Sequence, residues 1–346
     1  MIRLIAVLAL LAATNIQAQV DVDLSGTYDV GTLTPLERPP AFGDNAYLTP
    51  EQAEQMAKRM AGAMAADGAA SNPDRDAPPA GKITQGYNLF WVDPGSEASL
   101  IDGKFRTSIL TYPANGRIPA LTEEGEARKQ QMLDDWQIIW RFTDPTVGKN
   151  TGTAWWLEDG NPDGPYDNME QRPYAERCIF GTRSTAGPPM LPNFYNNHKR
   201  IVQTPDHVMI LTEMNHDARI VRMQGEPRDP SIKTWFGDSI GHWEDETLVV
   251  HTKGFHNTPA MWRGDENMQT VERFTKLPNG DLLYEFEVMS PTVWQDKWAG
   301  EYVWRAANQD KVYEVACHEG NYALGNIMRG ARLLEAEATA QTSAGE

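Results

Sequence analysis

The chain has 346 residues, with 48 acidic against 31 basic side chains and a formal net charge of −17. An acidic surface repels phosphate backbones and anionic headgroups, which sets aside nucleic acid and membrane surfaces as partners. The apolar fraction of 40% is enough to bury the core of one large domain.

The first residues predict export. Met1-Ile2-Arg3 is a short basic start, Leu4 to Ala13 an apolar run, and Ala18 a small residue suited to cleavage. The apolar run is too short to span a bilayer, and no later stretch is apolar enough to insert. The expected mature protein is periplasmic or secreted, with no lipid-anchoring cysteine at the cut. It has two cysteines, Cys178 and Cys317. In an oxidising compartment an even pair is most simply a disulfide. Closing so long a loop stabilises by up to about 5 kcal/mol on the loop-entropy model. A metal site at Cys317-His318 is the rival reading, weakened by the lack of CxxC spacing.

In chain order, a short strand is predicted over Asp23 to Val30. A helix follows from Thr49-Pro50-Glu51 to about Ala66, with Thr as N-cap and Pro in the first turn. Asp67 to Gly81 reads as a surface loop. Strand-like runs surround Leu89 to Val92 and Arg106 to Leu110. A second helix is predicted from Thr122 to about Leu133, its first turn carrying Glu123 and Glu124. Thr143 to Tyr174 is loop-like and contains Trp155-Trp156.

From Asn197 the pattern becomes a series of short strands: His198 to Thr204, Val208 to Glu213, Ala218 to Met223, Trp235 to Trp243, Thr247 to Lys253, Val271 to Lys276, Leu282 to Val288, Tyr302 to Arg305 and Val312 to Ala316. Asn279-Gly280 is a strong hairpin-turn signal. Sequential hairpins predict a mostly β fold, an antiparallel up-and-down, lipocalin-like barrel, since closure removes exposed edges. The expected organisation after residue 18 is a single domain. A helical and loop region over 19–175 packs on a barrel core over 176–320, and a C-terminal helix covers 321–340.

Several segments carry a resemblance. They are Glu176-Arg177-Cys178, Gly187-Pro188-Pro189-Met190, Asn196-Asn197, Ile201 to Pro205, His216 to Ile220, Gly237-Asp238-Ser239, Trp243 to Val250, Val271 to Phe274 and Cys317 to Tyr322. Over residues 86–333 the chain resembles a large family of exported bacterial proteins with no settled activity. The resemblance implies that both cysteines belong to the family pattern. It also implies that His198, where a further Asn or a Tyr is usual, is particular to this chain. The strand meander alone is similar to lipocalin-like barrels that bind or transform apolar molecules, and a fold does not fix a function.

The clearest candidate site is Glu213 to Arg219. If Met209, Leu211 and Glu213 share the inward face of a strand, Glu213 is a carboxylate in apolar surroundings, with a raised pKa suited to acid–base work. His216 is the natural proton shuttle, Asp217 its orienting group, and Arg219 a holder of anionic groups. The rival reading is a solvated or paired turn. Asn197, His198, Lys199 and Arg200 echo Asn215, His216 and Asp217 at the start of a similar strand, so the two runs could meet at one rim. Asn197 and Arg200 are expected as binders there. Glu272 is a candidate inward carboxylate, neutralised by Arg219 or Arg200 if they meet. His318 and Glu319 either line the pocket or, more simply, lead into the helix cap.

Five histidines would suffice for a metal, yet no HxH, HExxH or HxxxH pattern occurs, so no metal or other cofactor is expected. A serine nucleophile and nucleotide-binding loops are not expected either. Eleven Trp residues, among them Trp155, Trp156, Trp235, Trp262, Trp294 and Trp298, either line a ligand pocket or fill the core. The chemistry expected is a cofactor-independent, acid–base lyase, isomerase or hydrolase acting on a small apolar or aromatic molecule. The alternative is a non-catalytic carrier for such a ligand.

Overall fold

The computed structural model describes residues 22–70, 74, 92–140, 166–172, 174, 176–179, 187–193, 197–258 and 264–344. The expected signal peptide, Trp155, Trp156, Trp262 and Leu89 to Trp91 lie outside them. The described residues form a closed nine-strand barrel with three helices. The strands, in chain order, are β1 (Gly26–Asp29), β2 (Tyr47–Leu48), β3 (Leu100–Ile101), β4 (Lys104–Arg106), β5 (Leu110–Tyr112), β6 (His198–Gln203), β7 (His207–Thr212), β8 (Asp217–Arg222), β9 (Asp238–Glu244), β10 (Thr247–Lys253), β11 (Gln269–Lys276), β12 (Leu282–Met289) and β13 (Trp298–Ala306). The helices are α1 (Pro50–Asp67), α2 (Glu123–Trp140) and α3 (Ala323–Ala344).

The ring runs β1-β6-β7-β8-β9-β10-β11-β12-β13 and closes from β13 back to β1. Nine strands cannot alternate in direction all the way around a ring. One neighbouring pair must be parallel, and it is β8 with β9, joined only at Val221↔Ser239 and Arg222↔Ile240. All other neighbours in the ring are antiparallel, as expected. The closing strand β1 comes from the segment that sequence reading placed outside the barrel core. It pairs with β6 over four residues and with Arg305 and Ala306 of β13. The other half of that β13 edge is taken by β5, through Ala299↔Tyr112 and Gly300↔Leu110. This leaves no free edge for the strand expected over Val312 to Ala316, and that segment carries no regular structure.

Local chemistry explains the elements that were legible. Thr49 Oγ1 accepts from Gln52 N at 3.2 Å while Gln52 Oε1 accepts from Thr49 N at 2.8 Å, a reciprocal cap that starts α1. Thr122 Oγ1 caps α2 by accepting from Gly125 N, and α2 runs on to Trp140, past the expected end. The β9–β10 hairpin turns at Asp245-Glu246 with Asp245 at φ +52, and the β11–β12 loop uses Gly280 at φ +93. Inward positions of β11 to β13 alternate and supply an aromatic core: Phe274, Tyr284, Phe286, Trp298, Tyr302 and Trp304 are all buried.

Cys178 and Cys317 are disulfide-bonded, with Cα atoms 5.9 Å apart and a sequence separation of 139. The bond lies ahead of α3, which packs Ala331 against Tyr166 and pairs Arg332 with Asp167. Among the described residues, no helix is long and apolar enough to cross a membrane.

Gly300 marks the tightest approach in the wall. A Cβ there would lie 2.6 Å from Phe286 Cζ and 2.7 Å from the Ile109 carbonyl, and the backbone group cannot swing away. Gly300→Ala is expected to destabilise the fold by about 1–3 kcal/mol in urea unfolding. A cost near zero would mean that β5 is not fixed against β13.

Candidate functional site

The barrel interior is polar on one side and aromatic on the other. The polar side comes from β6, β7 and β8. The register places Tyr28, Lys199, Thr212 and Asp217 in one cross-strand row. Lys199 is 0% exposed, and Thr212 and Asp217 are also buried. Burial pushes the Lys199 ammonium well below the usual lysine range, against the opposing pull of Asp217 and Glu213. The sequence reading missed Lys199 as a site residue. Its only signal was the echo between Asn197-His198-Lys199 and Asn215-His216-Asp217, whose third members stand in this row.

One layer deeper, Arg219 extends from β8 across β9 and β10 to β11. Its Nε donates to Ser239 Oγ at 3.0 Å, its Nη2 to Thr252 Oγ1 at 3.0 Å, and its Nη1 to Glu272 Oε1 at 2.9 Å. A second bond from Nη2 reaches Glu272 Oε2, making the pair bidentate. Tyr284 donates to Glu272 Oε1 at 2.7 Å and accepts from Met190 N at 2.9 Å, and Tyr302 donates to Met190 O. Burial, with the Glu272 charge nearby, raises both tyrosines well above their ordinary range, so they remain donors. The expectation that Glu272 meets Arg219 holds. The expectation that Arg219 holds a substrate anion meets an obstacle, because its guanidinium is already engaged on both sides.

Other predicted residues scatter. On β7 the buried residues are Val208, Ile210 and Thr212, so Met209 and Leu211 face outward and Glu213 does not enter the lumen. Both faces of β7 are apolar, and alternation alone gives no phase. The outer face continues into Val202 and Ile220, 40% and 47% exposed. Glu213 Oε2 instead accepts from Tyr313 N at 3.0 Å. His216 sits exposed in a turn, at φ +47 beside Asn215 at φ +60. Of that trio, Asp217 stands in the row of Lys199, and Glu213 acts on it through its charge. Asn197 is buried as a clamp: it accepts from Asn193 N at 2.8 Å and donates to the Asp93 carbonyl at 2.7 Å. Arg200 lies on the outer wall, bonded to Thr27 Oγ1. His318 and Glu319 are exposed in the turn before α3, and Asn321 Oδ1 accepts from Ala323 N at the helix start.

The segment Gly237-Asp238-Ser239-Ile240-Gly241 does carry the Gly-x-Ser-x-Gly spacing, which the sequence reading set aside. A nucleophile elbow needs an exposed serine on a strand-to-helix turn. Ser239 is buried within β9 and bonded to Arg219 and Thr252, so it has no such context.

The aromatic side holds buried Trp294 and Trp298, edge to face at 5.5 Å. Neither indole N–H has a hydrogen-bond partner among the described residues, nor has the hydroxyl of Thr212 or Thr270. Trp235 stacks instead near the surface, between Tyr174 and His256. Among the described residues, no group of three or more His, Cys, Asp or Glu side chains is gathered as a metal site.

No protein-family model matches the chain, and no curated protein matches it either.

The Arg219–Glu272 strut has a measurable signature. Glu272→Gln leaves a buried guanidinium without its counter-charge and is expected to cost about 3–5 kcal/mol in urea unfolding. The double variant Arg219→Met/Glu272→Leu is expected to recover much of that loss. Equal losses in the single and double variants would contradict this description of the pair.

Proposed function

We propose that the protein is an exported, cofactor-independent enzyme that moves a proton on a small, largely apolar or aromatic molecule held in the barrel mouth, with Lys199 as the proton carrier. The observation that carries this reading is the fully buried Lys199 in one row with Asp217. Desolvation holds this amine well below the usual lysine range, which favours its neutral form and suits it to act as a base. It accepts a proton from a substrate carbon or hydroxyl, and the ammonium so formed is stabilised by Asp217. The proton then returns to a different substrate atom, giving isomerisation, or to a leaving group, giving elimination. The aromatic side of the lumen suits the apolar body of such a substrate, and the unpartnered indole N–H groups suit an acceptor atom on it. Export is supported by the signal-like start and by the disulfide.

The second reading is a carrier that binds without turnover. It is favoured by the Arg219 guanidinium, which is engaged by Glu272, Ser239 and Thr252 and has no role left in binding an anion.

The test is Lys199→Met, which keeps the length of the side chain without its amine. Wild type and variant are screened against aromatic and terpenoid metabolites, with binding read by thermal shift and turnover by mass spectrometry. The enzyme reading expects binding by both, turnover by wild type only, and His216→Ala active. Binding without turnover by wild type selects the carrier. Stability gives an independent readout. A lysine depressed in the folded state binds fewer protons than in the unfolded chain, so wild-type stability rises with pH below the ordinary lysine range, and Lys199→Met flattens that rise.

A further inference from the structure

At the same end of the barrel, two loops bring a pair of aspartates together. Asp29 ends β1 and its Oδ1 accepts from Gly31 N at 2.7 Å. Asp93 Oδ1 accepts from Gly95 N at 3.0 Å in the same fashion. The loops are joined by Leu33 N donating to Glu97 O at 2.8 Å. A Cβ on Gly31 would stand 2.9 Å from Asp93 Oδ2, 3.0 Å from Asp93 Oδ1 and 3.0 Å from Asp29 Oδ1. Three carboxyl oxygens therefore converge on one point, and only glycine fits there.

The surrounding charge does not balance the pair. Arg305 of β13 bonds Asp29 Oδ2, but it also reaches Ser96 and, at 3.5 Å, Glu97. His198 lies opposite Asp29 in the β1–β6 register, yet its ring pairs with Asp310 at 3.5 Å. Asp93 Oδ2 is buried with no hydrogen-bond partner among the described residues. One guanidinium thus serves two acids, Asp29 and Glu97, and a serine hydroxyl.

We propose that Asp29 and Asp93 act as a pH-operated latch on the strap that crosses the barrel mouth. The strap is the segment 187–193. Met190 is held inside by Tyr284 and Tyr302, and Asn193 is held by Asn197, whose amide is anchored on the Asp93 carbonyl. With Asp29 protonated, the loop at Asp93 lies against β1 and the clamp is closed. Loss of the proton sets two carboxylates against each other and pushes that loop, with the Asn197 clamp, away from the rim. Burial first, and then the Asp93 charge, raise the Asp29 carboxyl above its ordinary range. A raised acid contributes stability that is full at low pH and is lost as pH rises through its folded value. The latch therefore tightens in acid and loosens toward alkali.

The experiment is hydrogen exchange of the Asn193 and Met190 amides, corrected for intrinsic rates, in wild type and Asp93→Asn, together with a carbon NMR titration of the Asp29 carboxyl. In wild type, protection is expected to fall about tenfold as pH rises from the ordinary aspartate range, about pH 4, toward neutrality. In Asp93→Asn it is expected to stay level, with Asp29 titrating lower. Equal profiles in the two proteins overturn the proposal. If the variant does not fold, the wild-type titration decides alone: a carboxyl that titrates with the exposed aspartates overturns the latch. Neither readout involves Lys199, so failure here leaves the acid–base reading standing, and the reverse also holds.

Discussion

The bidentate bond between Arg219 and Glu272 is the constraint on which the rest of the barrel depends. A nine-strand ring must contain one parallel joint, and here that joint pairs only two residues of β8 with β9. Arg219 leaves β8 just above this joint and bonds β9, β10 and β11 through Ser239, Thr252 and Glu272. The side chain thereby ties one of the two shortest seams of the wall, the other being β13 with β1, to the long hairpins beside it. Burying two charges costs several kcal/mol per ion, and only excellent geometry offsets that cost. The bidentate contact, the two hydroxyls and Tyr284 provide that geometry. The same bonds link the strut to Met190, and so to the strap that closes the mouth.

That constraint also divides the lumen chemically. With Arg219 neutralised by Glu272, the amine of Lys199 stands on the polar side, one layer nearer the mouth. Its partners are carboxylates rather than an apolar wall, and its row includes the tyrosine of the closing strand. The opposite wall is aromatic and nearly without charge. An interior of this kind is costly to assemble if its only task is to fill space, because hydrocarbon of the same volume fills it without desolvating an ammonium. This asymmetry is the physical basis of the acid–base reading.

Much of the fold was legible in the sequence because its signals are local. The Thr49 cap, the Asn279-Gly280 turn and the alternation of β11 and β12 each rest on neighbouring residues. What escaped was non-local or lacked phase. Nothing near Gly26 to Asp29 says that this strand closes the ring, and nothing near Val312 says that β13 has no edge left for it. On β7 both faces are apolar, so Met209 and Leu211 looked as suitable for the interior as Val208 and Ile210. That single inversion of phase placed Glu213 inside and drew attention to His216. It also hid Lys199, which stands in the run Asn197 to Arg200 without a motif that marks it.

The most direct test of the account is a titration of Lys199 itself, by NMR of its side-chain Cε resonance in protein labelled at lysine. The account predicts a resonance that moves well below the range of the exposed lysines, and that shifts when Asp217 is replaced by Asn. A Lys199 that titrates together with the surface lysines would contradict the buried, proton-carrying amine on which the proposed chemistry rests.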